Sequence, residues 1–224
     1  MANIYEGAVE VSRRTMTLFF MVDASGSMDG AKMGTLNSAI EEVIPEIRKI
    51  SAENADAAIK IAVLEFSSGT RWITPEFGAA CKQLNEKMSR KAFMSDVAGS
   101  FAPAIFLLSD GEPTDEYIGE LSKLKENNWF KKAIKVAVAI GDDANRDVLA
   151  QFTGNKEAVL TAHTPEALTK MIRFVSVTAS QIGSKSSGVG KGGVDEAANK
   201  QNEMIDKINE VKAAEPDDDG DLEW

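Results

Sequence analysis

The chain has 224 residues, 43% of them hydrophobic, which is enough for one sizeable core and slightly more than a typical single domain needs. Its 25 Lys and Arg are outnumbered by 35 Asp and Glu, and the net charge of −10 argues against a phosphate-backbone partner such as nucleic acid. The longest apolar runs, 16–22 and 101–108, fall far short of the roughly 20 residues a bilayer crossing requires, so no membrane span is expected.

The N-terminal segment carries an acid early and lacks the basic start, apolar stretch and small-residue cleavage site of a secretion signal. A single cysteine, Cys81, cannot form an internal disulfide and fits a reducing compartment, so a cytoplasmic location is expected. Residues 15–22 are an almost unbroken apolar, β-rich run that ends at an acid and a Ser/Gly turn, the pattern of a strand buried on both faces. Runs 59–66, 104–108 and 134–140 repeat it. Between them, apolar spacing predicts helices over 33–50, with Leu36, Ile40, Val43 and Ile47 on one face, over 78–94 and over 114–130. A short strand at 71–73 is expected beside the second run, and 158–160 reads as a last edge strand before a helix over 165–182, with Thr164 as its cap and Pro165 in its first turn. This alternation predicts an α/β, Rossmann-like doubly wound fold, with a mainly parallel sheet covered by helices on both faces.

After residue 182 the composition changes to a Gly/Ser/Lys stretch. The expected division is a domain over 1–183, a flexible linker over 184–194, and an amphipathic helix with an acidic, disordered tail over 195–224. Ala197, Met204, Ile208 and Val211 recur at helical spacing in that last segment. Placing Gly220 at the sixth position of a calcium loop puts Glu215, Asp217, Asp219 and Asp221 at ligand positions. The chain stops before the bidentate Glu that such a loop needs, so a solvated tail is expected instead.

Chemistry concentrates at two strand ends. In an open α/β sheet ligands bind outside the carboxyl ends of the strands, where strand order reverses. There the first strand ends Asp23-Ala24-Ser25-Gly26-Ser27 and a later one ends Ser109-Asp110-Gly111. A hard cation such as Mg²⁺ takes oxygen ligands in an octahedron and keeps several waters. Asp, Ser and Ser at alternating positions can aim three oxygens inward from one turn, Gly26 frees the backbone, and Asp110 adds charge or holds a water. Ordinary turns are also rich in these residues, and Ser27 or Asp29 could simply cap the next helix. The strand–turn–helix context and the second Asp-Gly favour the metal reading.

The order of the two motifs, Phe20-Met21-Val22-Asp23-Ala24-Ser25-Gly26-Ser27-Met28 and then Phe106-Leu107-Leu108-Ser109-Asp110-Gly111-Glu112-Pro113-Thr114-Asp115, resembles the von Willebrand factor A domains. Their metal-ion-dependent adhesion site uses Asp-x-Ser-x-Ser after the first strand, and the present motifs are most similar to the bacterial branch associated with tellurium resistance. The resemblance spans residues 15–182. It implies that Asp23, Ser25 and Ser27 ligate Mg²⁺, with Mn²⁺ or Ca²⁺ as alternatives, that Asp110 completes the shell through water, and that a partner protein's carboxylate fills the open position. The family also supplies a threonine from the loop before the helix that begins near Phe77. Here that loop is short, with Thr74 as the candidate ligand, Pro75 stiffening the approach and Glu76 as another candidate.

The expected function is thus a non-catalytic, metal-dependent protein–protein interaction module. Its expected setting is a bacterial stress-response or phage-defence system with kinase or phosphatase partners. The alternative is a Mg²⁺-dependent phosphohydrolase, but haloacid-dehalogenase-type phosphatases resemble Asp-x-Asp, and Ser25 stands where their second Asp acts as general acid. No Gly-x-Ser-x-Gly elbow or phosphate-binding Gly-rich loop is present, and the lone His163 has no partner pattern for zinc. Thr114 and Asp115 read as the start of a helix, with Glu112 at the rim. A tail carboxylate, from the same chain or another copy, reaching the open metal position is a further expectation.

Overall fold

The computed structural model describes residues 13–67, 77–94, 99–113, 115–141, 144–185 and 194–214. The first apolar run forms β1 (Arg14–Asp23), with nine of its ten residues buried. A 3-10 turn at Gly26–Met28 leads into α1 (Ala31–Glu53), β2 (Ala57–Phe66), α2 (Phe77–Lys87) and β3 (Ala104–Ser109). The chain continues through α3 (Ile118–Glu126), α4 (Asn128–Lys132), β4 (Ile134–Ile140), α5 (Arg146–Thr153), β5 (Val159–Ala162), α6 (Pro165–Gly183) and α7 (Val194–Ala214).

The strands lie in the order β2-β1-β3-β4-β5, and every pair is parallel. The fold is therefore the doubly wound α/β architecture that the alternation predicts. The chain leaves β1 for β2 on one side and then crosses to β3 on the other. The strand order reverses between β1 and β3, and the crevice at their carboxyl ends is the natural ligand position.

Because successive strand residues face opposite ways, β1 feeds two cores. Met16, Leu18, Phe20 and Val22 join Phe106 and Leu108 under α1 and α6. Phe19 and Met21 join Ile105 and Leu107 under α2, α3 and α5. Two predicted helices are shorter than their spacing implies. The one expected over 78–94 ends at Lys87, where the Ser89 hydroxyl donates to the Glu86 carbonyl (2.8 Å) and competes with the helical ladder. The one expected over 114–130 becomes α3 and α4 because Asn127 interrupts it. The Asn127 side chain caps α4, accepting from the backbone N–H of Trp129 (2.8 Å). The cap expected for α6 is present, with the Thr164 hydroxyl accepting from Ala167 N–H (3.1 Å). The short strand expected at 71–73, most of the linker and the acidic tail lie outside the described residues.

The amphipathic helix expected near the C-terminus is α7. It lies on the main unit, with Met204, Ile205 and Ile208 buried. The Gln201 side chain accepts from Lys135 N–H (2.8 Å) and donates to its carbonyl (3.1 Å), taking the place of a strand neighbour at the start of β4. Burial pushes the Lys135 ammonium down to about 8, even though it donates to the carbonyls of Phe130 (3.1 Å) and Ala133 (2.7 Å). Above that value the unfolded chain holds this proton more tightly than the folded one, so stability contributed here rises with pH. In urea melts at ~pH 7 and ~pH 10, wild type should gain on Lys135→Met by about 3 kcal/mol at most. A difference between the two proteins that does not change with pH would count against this.

Candidate metal centre

Asp23 is the last residue of β1, and the register that pairs Val22 with Leu108 sets it beside Ser109, the last residue of β3. Both point to the α2 and α5 side, where they form the polar wall of an apolar pocket lined by Phe66, Phe77, Leu107 and Leu149. The Ser109 hydroxyl donates to Asp23 Oδ2 (2.5 Å) and the Ser25 N–H donates to Asp23 Oδ1 (2.9 Å). Ser25 Oγ lies 3.0 Å from Ser27 Oγ, and the Ser27 hydroxyl donates to Asp110 Oδ2. Asp23, Ser25, Ser27 and Asp110 thus form a continuous line of oxygens at the point where strand order reverses. Thr74 and Glu76 lie outside the described residues.

The serines are not consumed by capping. The N-cap of α1 is Gly30, with no side-chain cap hydrogen bond, and Ser25 also makes none to the 3-10 turn that follows it. The hydroxyl of Ser27 goes across to Asp110 instead.

Asp23 and Asp110 are only 4% and 3% exposed. Burial raises the Asp23 carboxyl above the usual range, hydrogen bonds from Ser109 and Ser25 work the other way, and the nearby Asp110 charge raises it further. No cation offsets this among the described residues, so Asp23 and Asp110 are two neighbouring buried carboxyl groups without a positive partner. An uncompensated buried carboxylate is costly, and a divalent cation is the kind of group that would offset two of them. Among the described residues no three His, Cys, Asp or Glu side chains cluster. The donor set is two carboxylates and two hydroxyls, which suits a hard oxygen-seeking ion that retains water rather than a closed Cys/His zinc site.

Asp110 is held from behind. Its carbonyl accepts from Asn145 N–H (2.6 Å) at the start of α5, and Gly111 N–H donates to Ser109 Oγ (2.9 Å). Gly111 has φ +77°, and a β-carbon there would lie 2.5 Å from the Asn145 carbonyl oxygen, so only glycine fits the turn.

Comparison with solved structures decides the fold family. The pilus adhesin SpaC from Lactobacillus rhamnosus GG, in its open conformation, superposes with a TM-score of 0.56 at 13% identity, over 76% of this chain and 30% of that one. The proximal thread matrix protein 1 of the mussel byssus gives 0.54 at 16% identity, over 75% of this chain and 48% of that one, and a second structure of it has a zinc-occupied metal-ion-dependent adhesion motif with the same figures. The fold is von Willebrand factor A-like. The chain spans less than half the length of each of these proteins. No protein-family model matches it, and no curated protein does.

Two residues near the site have roles that differ from, or were absent from, the sequence reading. Ser109 was not singled out, yet it holds the Asp23 carboxylate and the Gly111 N–H together. Its parity with Ile105 and Leu107 gives the face of β3 on which it lies, but only the register between β1 and β3 sets that face beside Asp23. Asp115 does not begin the helix that follows, since α3 starts at Ile118. It reaches across to α2, where its Oδ2 accepts from Gly78 N–H (2.6 Å), and so it satisfies the free N-terminal end of a different helix. Thr114 lies outside the described residues. Asp115→Ala should cost about 1 kcal/mol in chemical denaturation, the usual loss for a helix cap, while Asp115→Asn retains an acceptor and most of the stability. Equal losses from both would assign the effect to charge and not to the cap.

Proposed function

We propose that the protein is a non-catalytic, metal-dependent protein–protein interaction module. In this reading Asp23, Ser25 and Ser27 hold Mg²⁺, Asp110 supports it, directly or through water, and an acidic side chain of a partner completes the coordination. The observation that carries the reading is the buried pair Asp23 and Asp110, bridged by two serine hydroxyls and offset by no cation among the described residues. Thr74, which precedes α2 in the sequence and lies outside the described residues, is the candidate for a further ligand. Mn²⁺ or Ca²⁺ offers the same oxygen chemistry.

The adhesin and the matrix protein that share the fold favour binding over catalysis. So does the serine at position 25, which cannot act as a carboxylic general acid. The order of the two motifs favours a cytoplasmic stress-response or phage-defence setting of the tellurium-resistance type, with a kinase or phosphatase as the partner. No helix among the described residues is long and apolar enough to cross a membrane.

The deciding experiment is calorimetric titration of metal-free protein with Mg²⁺ and Mn²⁺ beside Asp23→Ala. Heat of binding is expected from wild type alone. Equal heats from the two proteins refute the site. Metal-dependent phosphate release from an aryl phosphate, abolished by Asp23→Ala, would instead establish a phosphohydrolase.

A further inference from the structure

A groove lies on the α1 face of the sheet, across the end of β1 from the side to which Asp23 and Ser109 point. Its floor is Val22 and Ala24, immediately before and after Asp23, and Met33 and Ile40 form its wall on α1. Its far wall is Val63 and Glu65 on β2. Ile59 and Ile61, on the same face of β2, pack against the core beneath α1, but Val63 is left 57% exposed. A β-branched apolar residue that open, beside partly buried Met33, is apolar surface without a cover among the described residues.

The rim is acidic. Asp29 in the metal loop, Glu41 on α1 and Glu65 on β2 are all exposed and line the groove, and no Lys or Arg forms an ion pair with them among the described residues. The register pairs Glu65 with Val22 and Val63 with Phe20. The apolar patch therefore lies about 10 Å along the strand direction from Asp23, within the span of three or four extended residues.

We propose that this groove receives the segment of the partner that flanks its metal-capping carboxylate, an extended stretch with an apolar side chain seated on Val63, Met33 and Ile40, and with Lys or Arg set against Glu41 and Glu65. The inference rests on the metal-dependent reading and names the partner's chemistry. The shared end of β1 and its loop, with Val22, Ala24 and Asp29 on the groove and Asp23, Ser25 and Ser27 at the site, and charge complementarity select this occupant. The chain's own acidic residues 215–224 would meet like charge here, as would a second copy with its net charge of −10. A partner that carries an acid for the metal and bases for the rim is distinguished from one that is acidic throughout, which the rim repels.

The test uses fluorescence anisotropy with three labelled peptides, the full-length protein, and Mg²⁺ or EDTA. One peptide has an aspartate preceded by leucines and arginines, the second has serines for the leucines, and the third has glutamates for the arginines. Only the first should bind firmly in Mg²⁺, and Val63→Glu and the double variant Glu41→Lys/Glu65→Lys should each weaken it about tenfold or more. Both variants change exposed positions and should bind Mg²⁺ in calorimetry as wild type does. Equal binding of the three peptides, no binding of any of them, or indifference to both variants would overturn the groove while leaving the metal site intact. Absence of Mg²⁺ heat from wild type would mark the failure of the underlying metal reading, and the proposal would fall with it.

Discussion

In thermal unfolding, Mg²⁺ should stabilise the wild-type protein over EDTA, and Asp23→Asn should erase that difference while making the metal-free protein more stable. A ligand at a hundredfold excess over its Kd adds about 2.7 kcal/mol, which for a chain of this size corresponds to about 5–10 °C in Tm. The opposite sign in EDTA follows from the raised Asp23 carboxyl, whose first cause is burial. A raised folded value means that the metal-free native state holds the proton more tightly than the unfolded chain does. Stability from this group is therefore present at acid pH and is lost as pH rises from the ordinary carboxylate value through the raised one. Asparagine keeps an acceptor for Ser25 N–H and offers a donor to Ser109 without that penalty. Because a cation must displace the proton, Mg²⁺ affinity should strengthen over the same pH interval. The measurement is a pair of melting curves for each protein across the acid range. Equal Mg²⁺ stabilisation of both would remove Asp23 from the site.

Gly111→Ala should be among the most damaging single-methyl additions in the chain. The left-handed backbone at φ +77° costs an L-residue roughly 1–2 kcal/mol, and the added carbon would sit 2.5 Å from the Asn145 carbonyl oxygen, where neither partner is a mobile side chain. A total loss of about 3 kcal/mol, or about 6–12 °C, is expected in denaturation. The Asn145 N–H bond to the Asp110 carbonyl must shift to relieve the overlap, so metal affinity should fall as well. Gly26→Ala is the matched control, because nothing lies within 4 Å of its β-carbon position and it needs no left-handed backbone. A wild-type melting curve from Gly111→Ala would show that the turn relaxes freely.

The legibility of the fold has a local cause. β1, β3 and β4 are apolar runs bounded by polar turns, and a strand buried on both faces must look that way in sequence; β2 carries the same run but ends the described sheet and buries only Ala57 and Phe66, so its expected burial on both faces is not what the structure shows. Helix ends were less legible. The turn at Ser89 and the cap at Asn127 arise from side-chain hydrogen bonds to the backbone that compete with an otherwise sustained apolar spacing. α7 shows a similar limit. Its periodicity announced an amphipathic helix, but periodicity does not say which surface the apolar stripe will cover, and the contacts of Met204, Ile208 and Gln201 with the sheet's underside were not visible in it.

At the site the division has the same origin. By itself the sequence determined the chemistry available, namely the carboxylates of Asp23 and Asp110, the hydroxyls of Ser25 and Ser27, and their attachment to the ends of buried strands. These follow from residue identity and from a period of two. The tertiary structure alone decided that β1 and β3 are neighbours, that Ser109 therefore meets Asp23, and that Asp115 spans to α2 in place of starting its own helix. It also decided that Val63 stays open beside the metal loop. Those facts depend on strand order and register, which join residues dozens of positions apart, and no local pattern carries that pairing.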